Sequence, residues 1–447
     1  MLNQSLSFRL QASRKKFLND SLFRNATYLI ASTSIMAVLG FVFWLLVAHW
    51  FKPAEIGIAS ALISVATLLS SLSLLGMNAG LIRFLNGSDN QSRDINAASL
   101  IVVAASVVTA IAYVIVAPHL GVKLALLNHL WQKVAFVVLM AVVSLNSLTD
   151  SVFIGNRKGE YHTVGYATFS IVKLAIPALL ISLGALGIFS AYALAMLISL
   201  VVSYYLMFRR LNYHFSAKPN WQIIRTIRAY AANNYFGIVL SNLPAQLLPL
   251  FIIRRLGAAD VAYYAMASTM ANLLYILPAA AGQSLLAETA HEPSKMAEHL
   301  RRIVKLLVYL LIPVVILSVF AAPYLLSIFG LAYKQNGTGI FRLLAAATFL
   351  VAISTIGNTI LNIEKHSKAI VGIQAIILIV TFASSIWLIK YGLSGIGLAL
   401  LIGYIAASIA HIKIFTYYHK INFRDLLRRN ESSLSPFKNY RLDGKRS

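Results

Sequence analysis

Two ionisable side chains fall deep inside apolar stretches of the chain, Asp150 and Lys173. A charge at such depth costs several kcal/mol unless it is paired or wet. Lys173 lies about ten residues into the stretch 164–184, about 15 Å along a helix at 1.5 Å per residue. Asp150 lies about a turn and a half inside the end of 131–155. Two arrangements satisfy the pair. Either the charges neutralise one another between neighbouring helices, or Lys173 belongs to a cationic cavity wall that meets an anionic ligand.

Other polar residues recur at helical spacing. Ser60, Ser64, Thr67, Ser71 and Asn78 share one face of 57–83, and Ser268, Asn272, Tyr275 and Gln283 share one face of 261–287. Small hydroxyl residues let membrane helices pack closely, which accounts for much of such a stripe. Asn272 and Gln283 are bulkier and point to a hydrated cavity between the two halves of the chain. Arg83 and Glu288 close the two stripes, where a snorkelling interfacial charge is the simpler account. The stretch 230–253 carries Asn233, Asn234, Asn242 and Gln246, with Pro244 and Pro249. Each proline removes a backbone bond and permits bending, so both are hinge candidates. The candidates for a substrate cavity are thus Asn78, Arg83, Asp150, Lys173, Asn242, Gln246, Arg255, Asn272, Tyr275 and Gln283.

Enzymatic signatures are missing. No Gly-x-x-x-x-Gly-Lys-Ser/Thr phosphate loop occurs. No His pair has metal-ligand spacing on a polar face, and no outer loop is long enough for a catalytic domain. The sequence contains no cysteine, which removes disulfides, thiol catalysis and cysteine-ligated metal. No catalytic residue, cofactor or metal site is expected.

The elements that must position these residues follow from composition. Of the 447 residues, 59% are hydrophobic and 12% charged, against about 25% charged in soluble proteins. Apolar runs of about 20 residues recur along the chain, each long enough for about 30 Å of hydrocarbon. In lipid only helices and closed barrels satisfy the backbone. The runs do not alternate, so helices are expected. Twelve spans are predicted: 28–50, 57–83, 97–118, 131–155, 164–184, 187–208, 230–253, 261–287, 303–329, 340–363, 369–390 and 393–415. Residues 1–24 read as a cytoplasmic segment with no cleaved signal peptide, 25–208 as a first six-helix bundle, and 230–415 as a second. Residues 209–229 read as a cytoplasmic amphipathic linker with Trp221, Ile223, Ile224 and Ile227 on its apolar side, and 416–447 as a basic cytoplasmic tail.

The net charge of +24 has its main explanation in topology. With the N-terminus inside, Lys and Arg divide 29 inside to 8 outside, Lys173 standing apart within a span. That bias puts both termini in the cytoplasm of a multi-pass inner (cytoplasmic) membrane protein. Arg254 and Arg255 are exceptions on the outer side, and Lys123, Lys334 and Arg342 are expected in outer loops. Membrane lipids are expected partners through their anionic head groups. Nucleic acid is not, since the basic residues are scattered over short loops.

The chain repeats itself weakly. Glu55 matches Asp260, Ala117-Pro118-His119-Leu120 matches Ala322-Pro323-Tyr324-Leu325, and Asn78 matches Gln283, all at an offset of 205. Gly184 and Gly187-Ile188 match Gly392 and Gly395-Ile396 at 208. Six spans per half with equal offset imply parallel repeats.

The sequence resembles the polysaccharide-export flippases, of O-antigen and teichuronic acid type, in the multidrug/oligosaccharidyl-lipid/polysaccharide (MOP) superfamily. The likeness is carried by Phe51-Lys52-Pro53-Ala54-Glu55-Ile56-Gly57, by Leu75-Gly76-Met77-Asn78-Ala79-Gly80-Leu81-Ile82-Arg83-Phe84, and by Phe153-Ile154-Gly155-Asn156-Arg157-Lys158. It implies an all-α fold of two six-helix bundles forming a V-shaped cleft of MATE type. It implies a lipid-linked oligosaccharide substrate, moved by alternating access for lipopolysaccharide or exopolysaccharide assembly, with polysaccharide polymerase or other assembly proteins as candidate partners. The first span has only Ser32, Thr33 and Ser34 where lipid II flippases carry an Arg-Asp pair and multidrug extruders an acidic residue. A cation-coupled multidrug exporter and a non-transporting scaffold of polymer assembly are the competing readings.

Overall fold

The computed structural model describes residues 21–118, 129–216, 218–292 and 295–419. The expectations for the N-terminal basic segment before residue 21, for Lys123, for the His119-Leu120 part of the repeat and for the tail beyond residue 419 lie outside the described residues. So do the side chains of Asn233 and Asn234.

The described residues form thirteen α-helices and no strand: α1 (Ser21–Trp50), α2 (Pro53–Ser73), α3 (Met77–Phe84), α4 (Gln91–Val116), α5 (Leu130–Gly155), α6 (Gly159–Ala175), α7 (Ala185–Arg210), α8 (Trp221–Arg255), α9 (Ala258–His291), α10 (Met296–Ser327), α11 (Leu331–Ile363), α12 (Ser367–Leu388) and α13 (Gly392–His419). Nine helical stretches among the described residues are long and apolar enough to cross a bilayer, one of them comprising α12 and α13, and Ile35–Trp50 is a shorter apolar stretch. The chain is an all-α membrane protein.

Four details depart from the sequence reading. The second span is two helices, because Leu75 and Gly76 take left-handed φ values of 46° and 77° and α3 restarts at Met77. The fifth ends its α-helix at Ala175, where Pro177 cannot donate to the ladder and two 3-10 turns follow, Pro177–Leu179 and Ile181–Leu183. Trp221 opens a helix that continues unbroken to Arg255, so the apolar residues of the expected linker run straight into the seventh span. Lys334 and Arg342 are three and eleven residues inside α11, not in a loop.

The described residues divide into two compact units, those up to 239 with 246–254, and 240–245 with those from 255 onward. In the first unit α2 is the central helix and packs on α4, α5 and α7, while α1 lies along α6 and α6 along α7. One core joins Val65, Leu69, Phe136, Met140, Phe169 and Tyr192. A second joins Leu81, Val152, Phe153, Met207 and Ile227. Tyr235 of α8 donates to the Leu72 carbonyl over 2.8 Å. In the second unit α11 is central, packed on α9, α10 and α13, and α12 lies along α13.

One backbone turn occurs in both units, 208 residues apart. Asn156, Arg157 and Lys158 donate to Val152, Ile154 and Phe153, and Glu364, Lys365 and His366 donate to Ile360, Asn362 and Leu361. Arg157 and Lys365 have φ values of 55° and 60°. At the other end of the following helices, Gly184 and Gly392 have φ values of 55° and 62°.

Candidate functional site

Five helices of the first unit line an open cavity of about 430 Å³. Each contributes one face. Helix α2 presents Ile63, Thr67, Ser70, Ser71 and Leu74, and α5 presents Val143, Asn146, Ser147 and Asp150. Helix α6 presents Tyr166, Phe169 and Lys173, α7 presents Tyr192, Met196 and Ser199, and α1 adds Met36 and Gly40. The spacings of three, four and seven residues keep each set on one side of its helix.

The polar lining is partly consumed by the fold. Thr67 donates to Ile63 O over 2.9 Å, Ser71 to Leu68 O over 2.8 Å and Ser147 to Val143 O over 3.2 Å, each within its own helix. Asn146 Nδ2 donates to Met196 O over 3.1 Å and Ser199 Oγ to Gly165 O over 3.1 Å, which stitches α7 to α5 and α6. Thr67 and Tyr192 also share a hydrogen bond.

The two ionisable residues are not paired with each other. The ion pairs among the described residues are Lys158–Glu160, Glu292–Lys295, Glu298–Arg302 and Glu364–His366. The Asp150 carboxylate accepts from the Tyr166 hydroxyl, one helix away. The Lys173 ammonium lies 4.5 Å from the Phe43 ring centroid and 4.8 Å from that of Phe169. A cation at such distances is attracted by the ring quadrupoles, about 2 kcal/mol when desolvated. The ammonium keeps its hydrogen-bonding capacity, since a ring face accepts charge without taking up three N–H donors in a fixed geometry. The cavity therefore offers a positive donor and an oriented carboxyl group within a space typical of small-ligand sites.

Of the ten cavity candidates, Asp150 and Lys173 line this space. Asn78 and Arg83 sit on α3, outside it. Arg83 is exposed, 5.5 Å from the Phe84 ring centroid. Asn242 is exposed and Gln246 half-buried on α8, where Pro244 and Pro249 are buried and the helix runs through both. Arg255 is exposed at the end of α8, and Asn272 and Gln283 are exposed on α9. Tyr275 donates to Leu344 O over 3.2 Å and so clasps α11. Sequence reasoning missed Tyr166, Phe169, Tyr192, Asn146 and Phe43. The spacing of Tyr166, Phe169 and Lys173 on one face was the available signal.

A family model described as polysaccharide biosynthesis protein matches residues 22–286. No curated protein matches the chain in sequence. Solved structures match its fold. The lipid II flippase MurJ in an inward closed conformation is 12% identical, with a TM-score of 0.73 and 89% of each chain covered. An inward-facing multidrug resistance MATE family transporter of the MOP superfamily is 14% identical, with a TM-score of 0.67, covering 86% of this chain and 96% of that one. Its outward-facing counterpart matches at 14% identity and a TM-score of 0.60, covering 88% and 93%.

Proposed function

The chain belongs to the polysaccharide biosynthesis protein family, and from that premise we propose that it carries a polyprenyl-pyrophosphate-linked oligosaccharide from the inner to the outer leaflet of the cytoplasmic membrane, with no enzymatic step of its own. The observation that carries this reading is Lys173: an ammonium inside a membrane-embedded cavity, resting on Phe43 and Phe169, with its N–H donors directed to no carboxylate among the described residues. A sugar pyrophosphate cannot cross hydrocarbon unaided, because its charges and hydroxyls would be buried unpaired. A hydrated, cationic cavity receives the head group while the polyprenyl tail stays in lipid. The paired turns at 152–158 and 360–366 support two equivalent halves, the plan on which many alternating-access transporters are built. With the inside negative, outward movement of each negative charge gains about 2.3 kcal/mol per 100 mV.

Deletion of the gene tests this. Lipid-linked repeat units should be synthesised at the normal rate and accumulate on the cytoplasmic leaflet. A strain that assembles normal surface polysaccharide and instead becomes sensitive to cationic drugs would overturn the reading in favour of a multidrug exporter.

A further inference from the structure

Pro323 deprives α10 of a hydrogen bond. The Val319 carbonyl would ordinarily accept from the N–H of residue 323, and proline has none. An unsatisfied carbonyl is costly in lipid. The missing donor comes from the neighbouring helix, where Arg342 Nε–H of α11 donates to Val319 O over 3.2 Å. This bond uses one of the five N–H groups of the guanidinium and fixes its plane. The two terminal amino groups form the fork that recognises phosphate in a bidentate manner.

Helix α11 has 33 residues, about 50 Å at 1.5 Å per residue, more than about 30 Å of hydrocarbon requires. Arg342 is eleven residues from its start, at the head of the uncharged run 343–363. Its reach is limited, because Nε is held at the level of Val319, eight residues before the end of α10. Arg342 is exposed. Lys334 and Gln335, also exposed, stand about two turns above it on the same face of α11.

We infer that Arg342, with Lys334 and Gln335 above it, forms an anion site in the second unit for the phosphate-bearing head group of the cargo, at the end of α11 that the charge distribution places outside. The site rests on the transport reading proposed above. Arg342 holds the phosphoryl oxygens through its terminal amino groups, and Lys334 and Gln335 meet the charge and hydroxyls that extend beyond.

Geranylgeranyl pyrophosphate is a suitable probe, its binding measured on the full chain in nanodiscs of neutral lipid. Removing Arg342 alone also orphans the Val319 carbonyl, so the informative variant is Pro323→Ala combined with Arg342→Gln, in which the alanine restores the intrahelical donor. The double variant should fold normally and bind the probe at least about tenfold more weakly, the scale of one lost charge-assisted pair. Pro323→Ala alone should stay within about threefold of the parent, since the charge is kept. Phosphatidylglycerol in the disc should not compete. Unchanged affinity in the double variant overturns the site while leaving the transport reading intact. Competition by phosphatidylglycerol overturns the cargo assignment and makes this a lipid head-group site. Failure of the parent protein to bind any isoprenyl pyrophosphate contradicts the transport reading itself.

Discussion

Lys173 of α6 rests its ammonium 4.5 Å above the ring of Phe43 of α1. The carboxylate on α5, Asp150, is bound to Tyr166 instead. The cation is stabilised by π-density and left able to donate to a ligand, and the Asp150 carboxyl group is held in place by Tyr166. Such a division suits a site that must bind a charged head group and then let it go.

Lys173→Gln should therefore leave the protein inserted at normal abundance and block export. Lys173→Arg should retain part of it, because the charge survives while the geometry changes. The measurement is surface polysaccharide per molecule of membrane-inserted protein. Full export by Lys173→Gln would remove Lys173 from the site.

Tyr166→Phe should destabilise the first unit by about 1 to 3 kcal/mol, the cost of leaving the Asp150 acceptor without its donor. Asp150→Asn keeps an acceptor and should cost less. Thermal unfolding in detergent at a fixed scan rate reads the difference. Equal losses in the two variants would contradict the Tyr166–Asp150 bond.

Gly187 and Gly395 face the Leu180 and Leu388 carbonyl oxygens so closely that a Cβ on either would overlap them. Alanine at each position should cost about 1 to 3 kcal/mol or more, by forcing backbone apart. Because the two contacts lie 208 residues apart, the losses in folded yield should be alike. A large loss at one position and none at the other would argue against equivalent halves.

Asp94 is fully buried at the start of α4. It accepts from Ser88 Oγ and, over 2.8 Å, from Asn220 Nδ2. Asn96 adds bonds to Tyr213 and to Ser216 O. The segment joining α7 to α8 is thereby fastened to α4. Asp94→Ala should release it and speed tryptic cleavage at Arg209 or Arg210 in the membrane-embedded protein. Cleavage at the parental rate would show that the fastening does not depend on Asp94.

The helical pattern was legible because hydropathy over twenty residues reports burial in lipid, whatever the neighbours. The break at Leu75–Gly76 was not, since a left-handed turn of two residues leaves that average unchanged. Asp150 and Lys173 stood out by depth alone. Their actual partners depend on the rotation of α5 and α6 about their axes, which a one-dimensional pattern does not encode. Arg342 was misplaced for a related reason. A charge near the end of an apolar run looks like a loop residue, and only Pro323 on another helix explains why it sits inside α11.

The most direct test of the transport claim is a leaflet assay on the purified chain. Lipid-linked repeat units taken from a deletion strain are built into proteoliposomes, and a membrane-impermeant sugar-modifying reagent reports how much is exposed outside over time. The parent protein should bring the protected pool to the accessible leaflet, Lys173→Gln should fail to do so, and liposomes without protein should stay protected. A parent protein no faster than empty liposomes across an inside-negative potential would contradict the transport claim.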